Sequence, residues 1–288
     1  MPFHLRHDPD WRRLTAAERA AVAAPTVAAA PAAAVPWQTC RFRVVAPGTA
    51  PARLLFFTDL HWRFSRWQEN EPLLNAINAA GADWLLFGGD LACYLEQLPA
   101  AQEWLSRLRA KRGKLAVPGN WEHKKYWLPV EYWRRVYDAA GFQLLVNERC
   151  IPPDPGAPVF AGYDDYRFGR RDPGLADDLP QTHPGRYVVG LMHSPATAGH
   201  TTGHFLGHLL LAGHTHGGQW RLPGFGALYT SNPYGKQFEY GWLKRSTDQA
   251  RMLISAGLGV TGPGFLRRRV CCPPEIVVID LVPPPEPE

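Results

Sequence analysis

From Arg53 onward the chain alternates short apolar runs with amphipathic stretches. Leu54-Leu55-Phe56-Phe57-Thr58 and Trp84-Leu85-Leu86-Phe87 are continuous runs of strand length, the pattern of strands buried on both faces. Residues 71–80, 100–111 and 130–140 carry apolar side chains at helical spacing, while 115–117 and 143–146 supply a third and a fourth strand. Strands alternating with helices at this spacing predict βαβ units and parallel pairing. After Pro152 strands prevail, at 159–162, 187–192, 209–212, 227–230, 252–255 and 276–281. With no long polar linker and no internal repeat, the pattern predicts one α/β domain of two packed sheets with helices outside.

The N-terminal stretch reads differently. Residues 20–35 are nearly all Ala, with Pro25 and Pro31 inside. That is too short and too weakly apolar to span a bilayer, which takes about 20 strongly apolar residues. Arg12 and Arg13 precede it in the order of a twin-arginine export signal, but Glu18 and Arg19 interrupt the apolar region such a signal needs. Thr15 and Glu18 instead have capping-box spacing and predict a short helix ended by Pro25. The Ala/Pro run to about Pro36 then reads as a semi-rigid arm. The expected organisation is a helix and arm over 1–51, the α/β domain over 52–282 and a Pro-rich tail over 283–288.

Composition narrows the class. At 45% hydrophobic over 288 residues the chain can bury a large core, which excludes wholesale disorder. Its 28 Pro, 27 Gly and 11 Trp exclude a fibrous or coiled-coil protein and point to shaped loops. Five cysteines without a CxxC pair fit neither a disulfide framework nor a thiolate zinc site, and predict reduced thiols in a cytoplasmic protein. The net charge of +5 suits an anionic substrate or surface. No basic stripe with interleaved aromatics runs along one element, so nucleic acid is not an expected partner.

Chemistry collects at the strand ends. Asp59 and His61 follow the first strand, Asp90 the second and Asn120 the third; His193 closes 188–192, and Gly213-His214-Thr215-His216 follows 209–212. In open α/β sheets ligands bind at the carboxyl ends of strands, so these residues can converge. A lone Asp-x-His or Gly-Asp is commonly a turn or a cap; the ordered set is what points to a site. Two Asp, one Asn and four His, without thiolates, suit Mn²⁺ first and also Fe or Zn²⁺, rather than Ca²⁺ or a structural zinc. Seven ligands exceed one ion. A carboxylate shared by two divalent ions about 3.5–4 Å apart resolves the count, and such a pair activates a hydroxide for attack on phosphorus.

Asp59-Leu60-His61, Gly88-Gly89-Asp90, Gly119-Asn120, His193 and Gly213-His214-Thr215-His216 resemble the DxH, GD, GNH(D/E), H and GHxH motifs of the calcineurin-like metallophosphoesterase superfamily. The resemblance covers roughly 52–282. GHTHGGQWRLPGFGALY, KQFEYG and SAGLGVTGPGFLRRRVCCPPEIVVIDL are similar to a bacterial branch of it. It implies a four-layer αββα sandwich of two mixed sheets flanked by helices. It also implies one ion on Asp59, His61, Asp90 and His216, and a second on the bridging Asp90 with Asn120, His193 and His214. The implied activity is hydrolysis of a phosphoester or phosphoanhydride, with Asp90, Asn120 and His123 as the catalytic candidates.

One position departs from the pattern. Trp121 stands where the family carries the histidine that stabilises the transition state or protonates the leaving group, and indole cannot act as an acid. Either His123 substitutes, or the leaving group needs no proton, as with a phosphate released from an anhydride. By analogy, some family members that cleave a nucleotide pyrophosphate also lack this histidine. On the substrate side, Arg167 and Arg170 in the 164–171 loop could meet a phosphate, or belong to a solvated loop. Arg267-Arg268-Arg269 could touch anionic headgroups at a membrane surface. Trp62, Phe64 and Trp121 would form an aromatic rim suited to a substrate with a base, sugar or acyl chain. The branch resemblance implies a lipid-linked nucleotide such as UDP-2,3-diacylglucosamine, of lipid A synthesis, and a place in the cytoplasm beside the inner membrane. The other readings are a general phosphodiesterase and a non-catalytic metal-binding scaffold.

Overall fold

The computed structural model describes residues 6–23, 37–62, 71–124 and 128–286. In chain order its elements begin β1 (Trp11–Arg13), α1 (Ala16–Val22), β2 (Gln38–Val45), β3 (Ala52–Phe57), α2 (Glu71–Ala79), β4 (Trp84–Phe87), α3 (Leu98–Ser106), β5 (Gly113–Ala116), α4 (Asn120–Lys124), α5 (Val130–Ala139) and β6 (Gln143–Leu144). They continue as β7 (Glu148–Cys150), β8 (Val159–Tyr163), α6 (Leu179–Thr182), β9 (Val188–Met192), α7 (Ala196–Gly199), β10 (Leu209–Ala212) and β11 (Arg221–Leu222). The last are β12 (Gly226–Ala227), β13 (Gly241–Arg245), β14 (Arg251–Ile254) and β15 (Glu275–Val282).

Two mixed sheets form, in the orders β2-β15-β3-β4-β5-β6 and β1-β13-β14-β10-β9-β8-β7. In the first, β3, β4, β5 and β6 are parallel and β15 runs antiparallel to β3. In the second, β8, β9, β10 and β14 are parallel. Strand alternation sorts the apolar runs into layers. Leu54 and Phe56 face Phe160, Val189, Leu191 and Leu211 between the sheets, while Leu55 and Phe57 turn to α2, α3 and α5 through Leu73, Ile77, Trp104 and Tyr137. On the far side, Val188, Leu210 and Met252 pack with Leu179 of α6 and Ala196 and Ala198 of α7. The result is the four-layer αββα sandwich. Full burial of a side chain such as Phe56 or Phe57 stabilises by about 1.5–3 kcal/mol, so the continuous runs fix the strands between layers.

The N-terminal segment joins the sheets. Thr15 Oγ1 accepts from Glu18 N (3.2 Å) and Glu18 Oε2 from Thr15 N (2.9 Å), which makes the capping box, and α1 ends at Val22; Pro25 lies outside the described residues. Arg12 makes a bidentate pair with Glu18 (2.7 and 2.7 Å), and Arg13 donates to the carbonyls of Lys236 (2.8 Å) and Tyr240. Both arginines are thus built into the edge strand β1. Residues 38–45, within the expected arm, form β2 and pair with β15 over eight positions. The expected strand 227–230 is shorter, because only Gly226–Ala227 pairs, with β11. Among the described residues no helix is long and apolar enough to cross a membrane, and the five cysteines are free.

Candidate metal centre

The parallel strands of both sheets end on one edge. Asp59 and His61 follow β3, Asp90 follows β4, Asn120 opens α4 beyond β5, His193 follows β9, and His214 and His216 follow β10. Short strands that stop abruptly turn five of the seven ligands inward from left-handed backbone. Asp59, His61, Asp90, His214 and His216 have φ of 55°, 45°, 60°, 69° and 52°. Such backbone is rare outside glycine and clusters at functional sites. The loops meet so closely that a Cβ on Gly89 would lie 2.4 Å from Gly119 N, and one on Gly119 would lie 2.2 Å from Asp90 Oδ1.

The structure brings all seven side chains together. Asp90 Oδ2 lies 3.3 Å from both His61 Nε2 and His193 Nε2, which places this one oxygen between the two halves of the cluster. On one side Asp59 Oδ1 is 3.5 Å from His216 Nε2 and 3.9 Å from His61 Nε2. On the other, His193 Nε2 is 3.0 Å from Asn120 Oδ1 and 3.1 Å from His214 Nδ1. Donors held about 2.1 Å from a shared cation stand roughly 3.0–3.4 Å apart, which matches most of these spacings. Asp59 Oδ1 and His61 Nε2 are buried and make no hydrogen bond, a costly state that a cation between them would relieve. The donor set therefore fits two divalent ions.

Outer contacts orient the ligands. His193 Nδ1 is 2.7 Å from the Gly88 carbonyl and His216 Nδ1 is 3.3 Å from that of Gly259, so each ring directs Nε2 inward. Asp59 Oδ2 accepts from Thr58 Oγ1 (2.9 Å) and His214 N (3.0 Å). Burial works against charge on every group, yet the Asp90 carboxylate raises His61 to about 9 and His193 to about 10. Burial also resists ionisation of Asp90, but the two imidazoles hold it well below the usual carboxylate range. Burial and the charge of His193 push His214 down to about 3. Without a cation, His61 and His193, one on each side of Asp90, carry the protons.

Trp121, on α4, donates its main-chain N–H to Asp90 Oδ1 (2.9 Å), and its ring stands edge-on to His61 at 5.0 Å between centroids. His123, two residues along and so on the opposite side of α4, is drawn to Asp164, with Nε2 and Oδ1 2.5 Å apart. The carboxylate raises its pKa against the effect of burial. Asp164 Oδ2 also accepts from Arg170 N (2.8 Å), and Asp165 Oδ1 accepts from Arg167 N (3.0 Å). The main chain of both arginines is thereby fixed while their side chains are exposed.

Two expectations change. Trp62 packs against Trp104 in the core beneath the helices and is not part of a rim, because its bridge to Ala92 points it inward; Phe64 lies outside the described residues. Arg269 is not a surface charge. Its guanidinium turns in and donates to the carbonyls of Ala256 (2.7 Å), Gly257 (3.1 Å), Gly259 (2.6 Å) and His216 (3.4 Å). Sequence reasoning also missed the role of Glu122. Its buried carboxylate accepts from the N–H groups of Asp90 (3.1 Å), Leu91 (2.9 Å) and Gly119 (2.9 Å) and from Tyr137 OH (2.9 Å). An acidic residue directly after the strand-end motif was the available signal.

Residues 52–218 match the family model described as calcineurin-like phosphoesterase. The chain belongs to that family. Its members are metallophosphoesterases, hydrolases of phosphoester bonds that typically hold two divalent ions. Over 249 residues the chain is 28% identical to the uncharacterized metallophosphoesterase YkuE of Bacillus subtilis strain 168, covering 84% of this chain and 83% of that one. An uncharacterized metallophosphoesterase of Helicobacter pylori strain 26695 is 26% identical over 80% of this chain, which spans 60% of the relative's length. A metallophosphoesterase of Aquifex aeolicus is 28% identical over 65% of this chain and 67% of its own. Phosphopantetheinyl hydrolase from Mycobacterium tuberculosis aligns with a TM-score of 0.40 at 14% identity, over 84% of this chain and 99% of that one.

Proposed function

We propose that this metallophosphoesterase hydrolyses a phosphoanhydride, or an ester whose leaving group is already stable as an anion, within a lipid-linked nucleotide of the UDP-2,3-diacylglucosamine type. The observation that carries the reading is Trp121. At the position of the family's proton-donating histidine stands the Trp121 indole, beside His61, and the main-chain N–H of Trp121 donates to Asp90 Oδ1. The nearest replacement in the sequence, His123, is tied to Asp164.

Bound divalent ions, Mn²⁺ first and Fe or Zn²⁺ as alternatives, would supply Lewis acidity and activate water. Asp59, His61, Asp90 and His216 would hold one, and Asp90, Asn120, His193 and His214 the other. The chain's own residues do the rest. Asn120 and the buried imidazoles would fix the phosphoryl group's surroundings, and the half-buried Trp121 beside them offers no proton. Exposed Arg167 and Arg170 stand beside Asp164 and Asp165, where a distal phosphate of the substrate would meet them. Exposed Arg268 would face a headgroup or membrane surface; Arg267 Nε donates to the Gly262 carbonyl (2.7 Å) and Arg269 turns inward.

Incubation with UDP-2,3-diacylglucosamine, UDP-sugars and generic diesters in parallel, with each divalent metal, tests the substrate. Turnover of diesters alone would reduce the reading to a general phosphodiesterase, and no turnover with two ions bound would leave a scaffold. On matched esters, log kcat should fall steeply as the leaving-group pKa rises. A flat dependence would reveal a general acid and defeat the argument from Trp121.

A further inference from the structure

A groove of about 330 Å³ opens beside His216, at the low end of the volume of small-molecule sites. Its floor is Thr215 and His216, so it is continuous with the metal centre. Gln219 and Thr261 brace one wall, joined by Gln219 Oε1 to Thr261 N (2.7 Å) and Gln219 Nε2 to the Thr261 carbonyl (3.1 Å). Ser231 donates to the His214 carbonyl (3.3 Å) and ties the other wall to a metal-ligand residue. Between these braces the lining is apolar and open: Leu228 is 52% exposed and Tyr229 68%, with Pro263 opposite. Phe225 and Phe265 are exposed on neighbouring turns. Single exposed apolar residues need no explanation, but several gathered at a braced groove that leads to a reaction centre mark a binding surface.

We infer that this groove is the subsite for an aliphatic chain carried by the group esterified to the substrate's phosphoryl centre. The polar metal centre receives the phosphoryl group, and the chain leaves it over His216 between Gln219 and Leu228-Tyr229. The inference rests on the reading of a lipid-linked substrate, but it assigns that lipid a place in this chain. It also separates the chain from the Arg167–Arg170 side of the centre, which leaves the polar part of the substrate there.

The test uses Mn²⁺-loaded protein and a series of alkyl p-nitrophenyl phosphodiesters from methyl to octyl, each below its micelle concentration. Calorimetric binding of octyl phosphate against methyl phosphate gives a readout without turnover. In the wild type, kcat/KM should rise about twofold to fourfold per methylene until the groove is filled. Leu228→Asp and Tyr229→Ser should lower the octyl-to-methyl ratio at least tenfold, both in turnover and in binding. Val45→Asp, at an exposed apolar position on β2, should leave the ratio unchanged, and metal content and Tm verify that each variant is folded and loaded. No chain-length dependence in the wild type overturns the inference, as does a dependence that survives both groove variants. If the chain-length effect holds while every nucleotide anhydride is inert, the groove stands and the proposed function fails.

Discussion

Glu122→Gln tests how the Asp90 and Asn120 loops are held. Glu122 is 2% exposed, and each of its oxygens accepts two hydrogen bonds, Oε2 from Asp90 N and Gly119 N and Oε1 from Leu91 N and Tyr137 OH. An amide keeps one oxygen and turns an NH₂ toward two donors. The least costly placement puts the NH₂ on the Tyr137 side, where the hydroxyl can rotate to accept, and leaves Leu91 N–H unpaired. Losing a hydrogen bond to a charged acceptor costs about 1.5–3 kcal/mol, and the other bonds weaken with the lost charge, so the sum is about 3 kcal/mol. In a domain of this size that lowers Tm by roughly 6–12 °C. Because two of the donors flank metal ligands, affinity for the ion near Asp90 and Asn120 should fall about 10–100-fold. Thermal unfolding with and without chelator, together with metal titration by calorimetry, reads both effects. A Tm within 2 °C of wild type, with unchanged metal affinity, would refute the reasoning, since four geometric contacts would then hold nothing.

Loading metal should release protons. In chelator-stripped protein His61 is held at about 9 and His193 at about 10, so both are charged at pH 7, and a divalent ion needs them neutral. Calorimetry in buffers of different ionisation enthalpy should detect about two protons released at pH 7, with apparent affinity rising towards pH 9; zero release contradicts the arrangement. The same raised values stabilise the stripped protein fully below about pH 6.5, and that contribution disappears as pH rises through 9–10, so its Tm should fall over that window while the loaded protein's should not. Trp121→His should flatten the dependence of kcat on leaving-group pKa and speed poor leaving groups at least tenfold; an unchanged slope in a fully loaded variant would count against Trp121 as the cause. Arg269→Lys cannot span the same carbonyls, and should cost about tenfold in affinity at the ion held by Asp59 and His216. An affinity unchanged from wild type in a metal titration would reject that role.

The metal ligands were legible in sequence because each sits directly after an apolar run, and the run itself fixes where the strand stops. Strands β3, β4 and β10 were legible for the same reason. By contrast β2 alternates polar and apolar residues after a low-complexity stretch, and β13 reads Gly-Trp-Leu-Lys-Arg, so neither carries a buried-strand signature although both are paired. Glu122, Asp164 and Arg269 were opaque because their meaning lies in partners distant in the chain. A carboxylate that gathers main-chain donors from β4 and β5 ends, or a guanidinium that gathers carbonyls, looks in sequence like any surface charge. Trp62 was misread because its neighbour His61 is a candidate ligand; His61 joins the metal cluster while Trp62 packs on Trp104 in the core.

The left-handed backbone at five ligand positions bears on the lifetime of the protein as well as on its chemistry. A side-chain-bearing residue in that region costs about 1 kcal/mol or more, so five of them hold roughly 5 kcal/mol of conformational strain. That sum rivals the whole stability of an ordinary domain, about 5–15 kcal/mol. Metal supply would then set abundance: a cell short of the ion would hold a chain closer to unfolding, and proteolysis would remove the empty form first.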